Sequence, residues 1–138
     1  MKKIAIAILF LAGAFTINSC KKKECPKPEV WAPGNWKATE RYNNGVLQSP
    51  SDPETACYLQ DSFTFEDDGT GTYNAHNYSS NNCTVDVIPV DWVENIDKKI
   101  LIITLNPPSG WAFKFTYDNK DKFYFENDSH NKMVFERQ

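Results

Sequence analysis

From Asn35 onward, apolar and polar residues alternate along short runs. Phe63 and Phe65 fall on one side of their run and Ser62, Thr64 and Glu66 on the other. Trp111, Phe113, Phe115 and Tyr117 stand opposite Ala112, Lys114 and Thr116, and Phe123 and Phe125 stand opposite Lys122, Tyr124 and Glu126. A period of two belongs to half-buried β-strands, whose successive side chains point to opposite faces. Both sides of 99–105 are apolar, so alternation does not assign an inner face there.

Turn residues set the limits of these runs. Strands are expected at 35–42, 57–65, 70–75, 84–88 and 90–94 on either side of a break, 99–105, 111–117, 122–126 and 132–137, with 46–48 a candidate partner strand to the first. Asn43-Asn44-Gly45 and Asp68-Gly69 are hairpin signals, "SPSDPET" and the Asn- and Ser-rich stretch after Ala75 read as loops, and Pro89 reads as a break. "NPPSG", "DNKD" and "NDSHN" supply the remaining turns. Beyond the first twenty residues, no window of eleven or more shows a helical period. The reading is an all-β, up-and-down antiparallel meander of eight or nine strands. One face of it collects most of the aromatic mass and must be buried. Curling into a closed barrel achieves that and removes the free edges; a two-sheet sandwich is the alternative, with crossed connections that these short turns disfavour.

The N-terminus reads differently. Lys2 and Lys3 precede an apolar run at 4–15, and Ile17-Asn18-Ser19 leads into Cys20. The run is shorter than the roughly 20 apolar residues a bilayer span needs, so 1–19 reads as a signal peptide. Cys20 after a small Ser19 resembles the lipobox of bacterial lipoproteins, which implies that Cys20 is acylated and becomes the mature N-terminus. Several acyl chains suffice for stable anchoring. Lys21 to Pro33, "KKKECPKPEVWAP", completes a tether over 20–33, leaving 34–138 as the folded domain. Lysine after Cys20 favours, by resemblance to sorting rules, a lipid-anchored place in the cell envelope at the outer membrane.

Residues 31–138 carry nine Lys and Arg against sixteen Asp and Glu. An acidic domain without a basic stripe argues against nucleic acid as a partner. With Cys20 lipidated, Cys25, Cys57 and Cys83 remain, so one pair at most forms. Three pairings exist. Cys57 with Cys83 is the expected one, because both lie in the folded region while Cys25 sits in the tether.

Catalytic chemistry finds few carriers. His76 and His130 each sit among Asn and Ser, and no spacing of His, Cys, Asp or Glu assembles a metal or nucleophile site. Asp67-Asp68, Asp118 and Asp121 fall in turns, where aspartate bonds its own backbone. The expectation is no enzyme, no metal and no cofactor.

"GNWKATERYNNG", "DSFTFEDDGTGTY" after a cysteine, "VDWVE", "KILIITL" and the closing "KMVFERQ" together resemble the short lipocalin-like domains of bacterial lipoproteins, over essentially all of 34–138. The resemblance implies a barrel whose Trp36 packs across the closed end, with Arg137 from the last strand on its ring. The folded region is shorter than a full lipocalin and shows neither the family's second motif nor its C-terminal helix. Two functions follow. One is binding of a small hydrophobic or amphiphilic ligand, with Phe63, Phe65, Tyr73, Trp92, Phe113, Phe115 and Phe125 as candidate lining, unless these residues fill the interior. The other is a structural or interaction lipoprotein that meets protein or glycan through "NAHNYSSNNC" and "NPPSGW", where an exposed Trp111 would stack on a sugar.

Overall fold

The computed structural model describes residues 29–106 and 110–138. The expected signal peptide, Cys20, Cys25 and most of the expected tether lie outside the described residues. In chain order the elements are β1 (Gly34–Asn43), β2 (Val46–Leu47), α1 (Pro53–Tyr58), β3 (Ser62–Phe65), β4 (Thr70–Ser79), β5 (Asn82–Asn95), β6 (Ile100–Leu105), β7 (Ala112–Asn119), β8 (Lys122–Glu126) and β9 (Lys132–Arg137). Each neighbouring pair from β3 to β9 is antiparallel, β3 pairs with β1, and β1 pairs with β9 from Trp36↔Arg137 to Tyr42↔Lys132. That last pairing closes an eight-stranded up-and-down barrel. The short β2 adds a ninth strand on the far part of β1, at Tyr42↔Leu47 and Asn43↔Val46.

The inner face is the aromatic one. Trp36, Phe63, Phe65, Trp92, Phe115, Tyr117, Phe123 and Phe135 form one buried cluster with Leu101 and Ile103. Leu101 and Ile103 thereby settle the inner side of β6, while Ile102 is exposed. Trp111 departs from its strand-mates. It precedes β7 and is 66% exposed.

Three expectations are corrected. The strand expected at 57–65 is a helical turn followed by a shorter strand. Asp52 accepts the N–H of Thr55 at 2.8 Å and Pro53 occupies the first turn, so α1 is started by its cap, with too few residues to show a period. The loop expected after Ala75 is strand, because the turn is confined to Ser80-Asn81, whose φ of 51° and 61° suit a tight hairpin. Pro89 does not break β5. Its carbonyl accepts the N–H of Asn106 at 2.9 Å, so its missing donor faces the same side, just beyond the last β5–β6 pair, Val90↔Leu105.

The β4–β5 hairpin consequently extends past its neighbours, since β3 reaches only Asn74 and β6 only Val90. α1 packs beside the part of β4 that β3 leaves unpaired. A Cys57–Cys83 disulfide joins α1 to β5 there.

Candidate functional site

The two barrel ends differ because the chain itself stoppers one of them. Turns 66–69, 96–99 and 120–121 share an end with the start of β1 and the finish of β9. Across that end runs Trp31-Ala32-Pro33, with Ala32 wholly buried. The packed part of the chain therefore includes 31–33, ahead of the expected boundary at Gly34. Glu94 accepts the N–H of Trp31 at 2.8 Å and of Ala32 at 3.1 Å, and the Tyr117 hydroxyl donates to the same carboxylate at 2.8 Å. Burial, and then the bond to Glu94, push the Tyr117 hydroxyl well above its ordinary pKa.

Trp36 is fully buried beneath this strap and its indole N–H donates to the Ala32 carbonyl at 2.7 Å. The Arg137 guanidinium lies 4.4 Å above the Trp36 ring. It donates to the carbonyls of Pro33 at 2.6 Å, Trp31, and Lys120 at 3.2 Å, and to the Asp121 carboxylate at 3.1 Å. Gly34, at φ +123°, leaves room for this, because a Cβ there would stand 2.8 Å from Arg137 Nη1.

The other half of the barrel, toward α1, is not filled. A cavity of about 310 Å³ lies there, at the lower edge of the roughly 300–1,000 Å³ usual for ligand pockets. Of the candidate lining residues, Phe63, Tyr73, Phe113, Phe115 and Phe125 form its wall. Phe65 and Trp92 do not belong to that wall. They lie nearer the stoppered end, with ring centroids 5.9 Å apart, and the Trp92 N–H donates to the Thr70 carbonyl at 2.9 Å.

Further wall residues come from Ile103 and Leu105 of β6, Met133 and Phe135 of β9, and Tyr58 and Asp61 beside α1. Met133 and Phe135 share the strand face of Arg137. Tyr58 and Asp61 carried no sequence signal for the wall, because their placement depends on the unforeseen helical turn.

Asp61 is the polar feature of this cavity and is only 4% exposed. Its carboxylate accepts the Tyr73 hydroxyl at 2.7 Å and the backbone N–H of His76 at 2.6 Å, and His76 Nδ1 stands 3.3 Å away. Burial raises the Asp61 carboxyl above its ordinary pKa, against the hydrogen bonds from Tyr73 and His76, which lower it. Tyr73 is driven well up, first by burial and then by the adjacent carboxylate.

His130, in contrast, is exposed and faces Glu126 at 3.3 Å. Among the described residues, no group of three or more His, Cys, Asp and Glu is placed to hold a metal ion. Comparison with protein-family models, curated proteins and solved structures finds no match for this chain.

Proposed function

We propose that this protein is a lipid-anchored binding protein of the cell envelope, whose barrel holds a small hydrophobic or amphiphilic molecule and performs no catalysis. The observation that carries the reading is the 310 Å³ cavity, walled by aromatic and aliphatic side chains in a barrel stoppered at its other end. A large buried apolar wall with few polar groups is the usual build of a small-molecule site. The lipocalin-like motifs quoted above point the same way.

The anchor rests on the sequence of the first twenty residues. Cys20 precedes the first described residue by nine positions, a span of about 30 Å at most. The described chain enters at the stoppered end, so the connection toward Cys20 joins the barrel at the end away from the cavity.

Titration with 1-aminoanthracene, an uncharged aromatic probe, tests the binding reading. Saturable fluorescence enhancement is expected, and Met133→Trp, which places a larger ring in the void, should abolish it while the melting temperature holds or rises. A probe that ignores both proteins alike, together with native mass spectra free of adducts, would count against binding.

A second reading is favoured by Trp111, a large aromatic left two-thirds exposed beside a loop. In that reading Trp111 stacks on a sugar ring or a partner protein. Trp111→Ala would then remove glycan or partner binding without touching the probe titration.

A further inference from the structure

We infer that the cavity selects amphiphiles with a hydrogen-bond-donating head, a hydroxyl or an amine, and discriminates against carboxylates such as fatty acids. The inference rests on the cavity being a binding site and adds the chemistry of its polar end.

Among the described residues the cavity wall contains one carboxylate, Asp61, two tyrosines, and neither lysine nor arginine. An anionic head buried beside Asp61 would meet a like charge in a low-dielectric space, where such repulsion is strongest and where His76 Nδ1, at 3.3 Å, already faces that carboxylate. Two cations adjoin wall residues, Arg41 beside Tyr58 and Lys132 next to Met133, and each has other partners. Arg41, paired with Met133 across β1–β9 and lying 4.2 Å over the Tyr58 ring, is held by Glu54 at 2.8 Å; Lys132 lies 4.5 Å over Tyr124, whose side chain is on the opposite face from Phe123 and Phe125.

The hydrogen bonds set the complementary polarity. Tyr73 spends its proton on Asp61, and the second carboxylate oxygen takes the N–H of His76. Both oxygens of Asp61 act as acceptors, as an ionised carboxylate does. What remains directed at a ligand is lone pairs, on Asp61 and on the Tyr73 oxygen, so the fitting head is a donor. The Tyr58 hydroxyl, beside them in the wall, can turn to serve either role.

Size fixes the rest of the ligand. About 310 Å³ corresponds to roughly ten water-sized volumes, enough for a chain of about ten heavy atoms. Phe63, Phe113, Phe115, Phe125 and Ile103 supply the apolar surroundings for such a tail.

Displacement of bound 1-aminoanthracene by 1-decanol, decylamine and decanoate, three chains of equal length, tests the inference. Decanol and decylamine should compete at concentrations at least tenfold lower than decanoate. Asp61→Asn should narrow the gap between decylamine and decanoate at least severalfold, with folding checked by circular dichroism. Tyr73→Phe keeps the wall's shape and uncovers an Asp61 oxygen, so it should widen the same gap. Decanoate binding as well as the amine in the wild type overturns the head-group assignment while leaving the cavity a binding site. A wild-type protein that takes up neither probe nor any of the three chains removes the binding reading and this inference together.

Discussion

The Arg137 guanidinium lies 4.4 Å over the indole of Trp36, and these two residues are directly paired across the β1–β9 closure. Charge, planar fork and register act together, because the same guanidinium ties down the carbonyls of the 31–33 strap. Arg137→Lys keeps the charge but cannot make the fork's several bonds. A cation over an indole contributes about 0.5–2 kcal/mol, and each hydrogen bond to a charged group about 1.5–3 kcal/mol when lost. Arg137→Lys should therefore cost about 2 kcal/mol in denaturant unfolding, close to the cost of Arg137→Ala. A lysine variant as stable as wild type would show that the fork is dispensable.

Trp36 and Trp31 flank the same strap, yet their burial separates them. Trp36 is wholly buried and packs on Phe123 at 4.7 Å, whereas Trp31 is half-buried and meets Tyr117 edge-on at 5.3 Å. Removing a buried tryptophan side chain costs roughly 3–5 kcal/mol, and in a domain of this size each kcal/mol moves the melting temperature by roughly 4–8 °C. Trp36→Ala should lower it by more than about ten degrees, and Trp31→Ala by clearly less. Equal losses in a thermal scan would remove Trp36 from its role as the stopper.

How much of this was legible follows from the kind of signal each element carries. Strands β7 and β8 alternate, so period two located them and their inward aromatics, whereas in β9 Val134 and Phe135 are adjacent and both buried. α1 has only six residues, too few for a period, and was announced solely by the Asp52-Pro53 cap, which looks like loop chemistry when no amphipathic run follows. Pro89 looked like a break because its tolerance depends on where β6 stops, a property of another segment. Of the aromatics in the cavity wall, Phe63, Phe113, Phe115 and Phe125 were marked by alternation. Phe65 carried the same mark, and only depth along the barrel separates it from them. Whether an aromatic interior is filled or hollow depends on summed volumes in three dimensions, which no local pattern encodes.

The disulfide couples stability to the cavity. Cys57 and Cys83 are 26 residues apart in sequence, and closing such a loop stabilises the fold by about 3.5 kcal/mol in the chain-entropy description. Cys57 neighbours Tyr58 on α1, and Tyr58 forms part of the cavity wall. The double variant Cys57→Ala, Cys83→Ala should thus unfold at lower denaturant and also bind 1-aminoanthracene several times more weakly at temperatures where it remains folded. Unchanged probe affinity would show that α1 stays seated without the bond.

Asp61 gives the stability a pH dependence opposite in sign to that of the capping and turn aspartates. Burial raises its folded pKa above the unfolded value, so within the window between the two the folded protein binds more protons than the unfolded chain. Stability then falls as pH rises through that window: the favourable state is fully present below about pH 3.9 and is lost once the folded carboxyl ionises. Asp52 and Asp68 accept hydrogen bonds from Thr55 and Thr70, which lower their pKa; their contribution is present above about pH 3.9 and is lost as pH falls through their folded values. Asp61→Asn removes the first effect alone. In denaturant unfolding between pH 3 and 8, the wild type should lose stability relative to Asp61→Asn as pH rises from about 4, then run parallel to it. Relative to Asp52→Asn or Asp68→Asn, it should lose its advantage as pH falls below about 4. A wild type that gains on Asp61→Asn with rising pH would mean that the bonds from Tyr73 and His76 outweigh burial at this carboxylate.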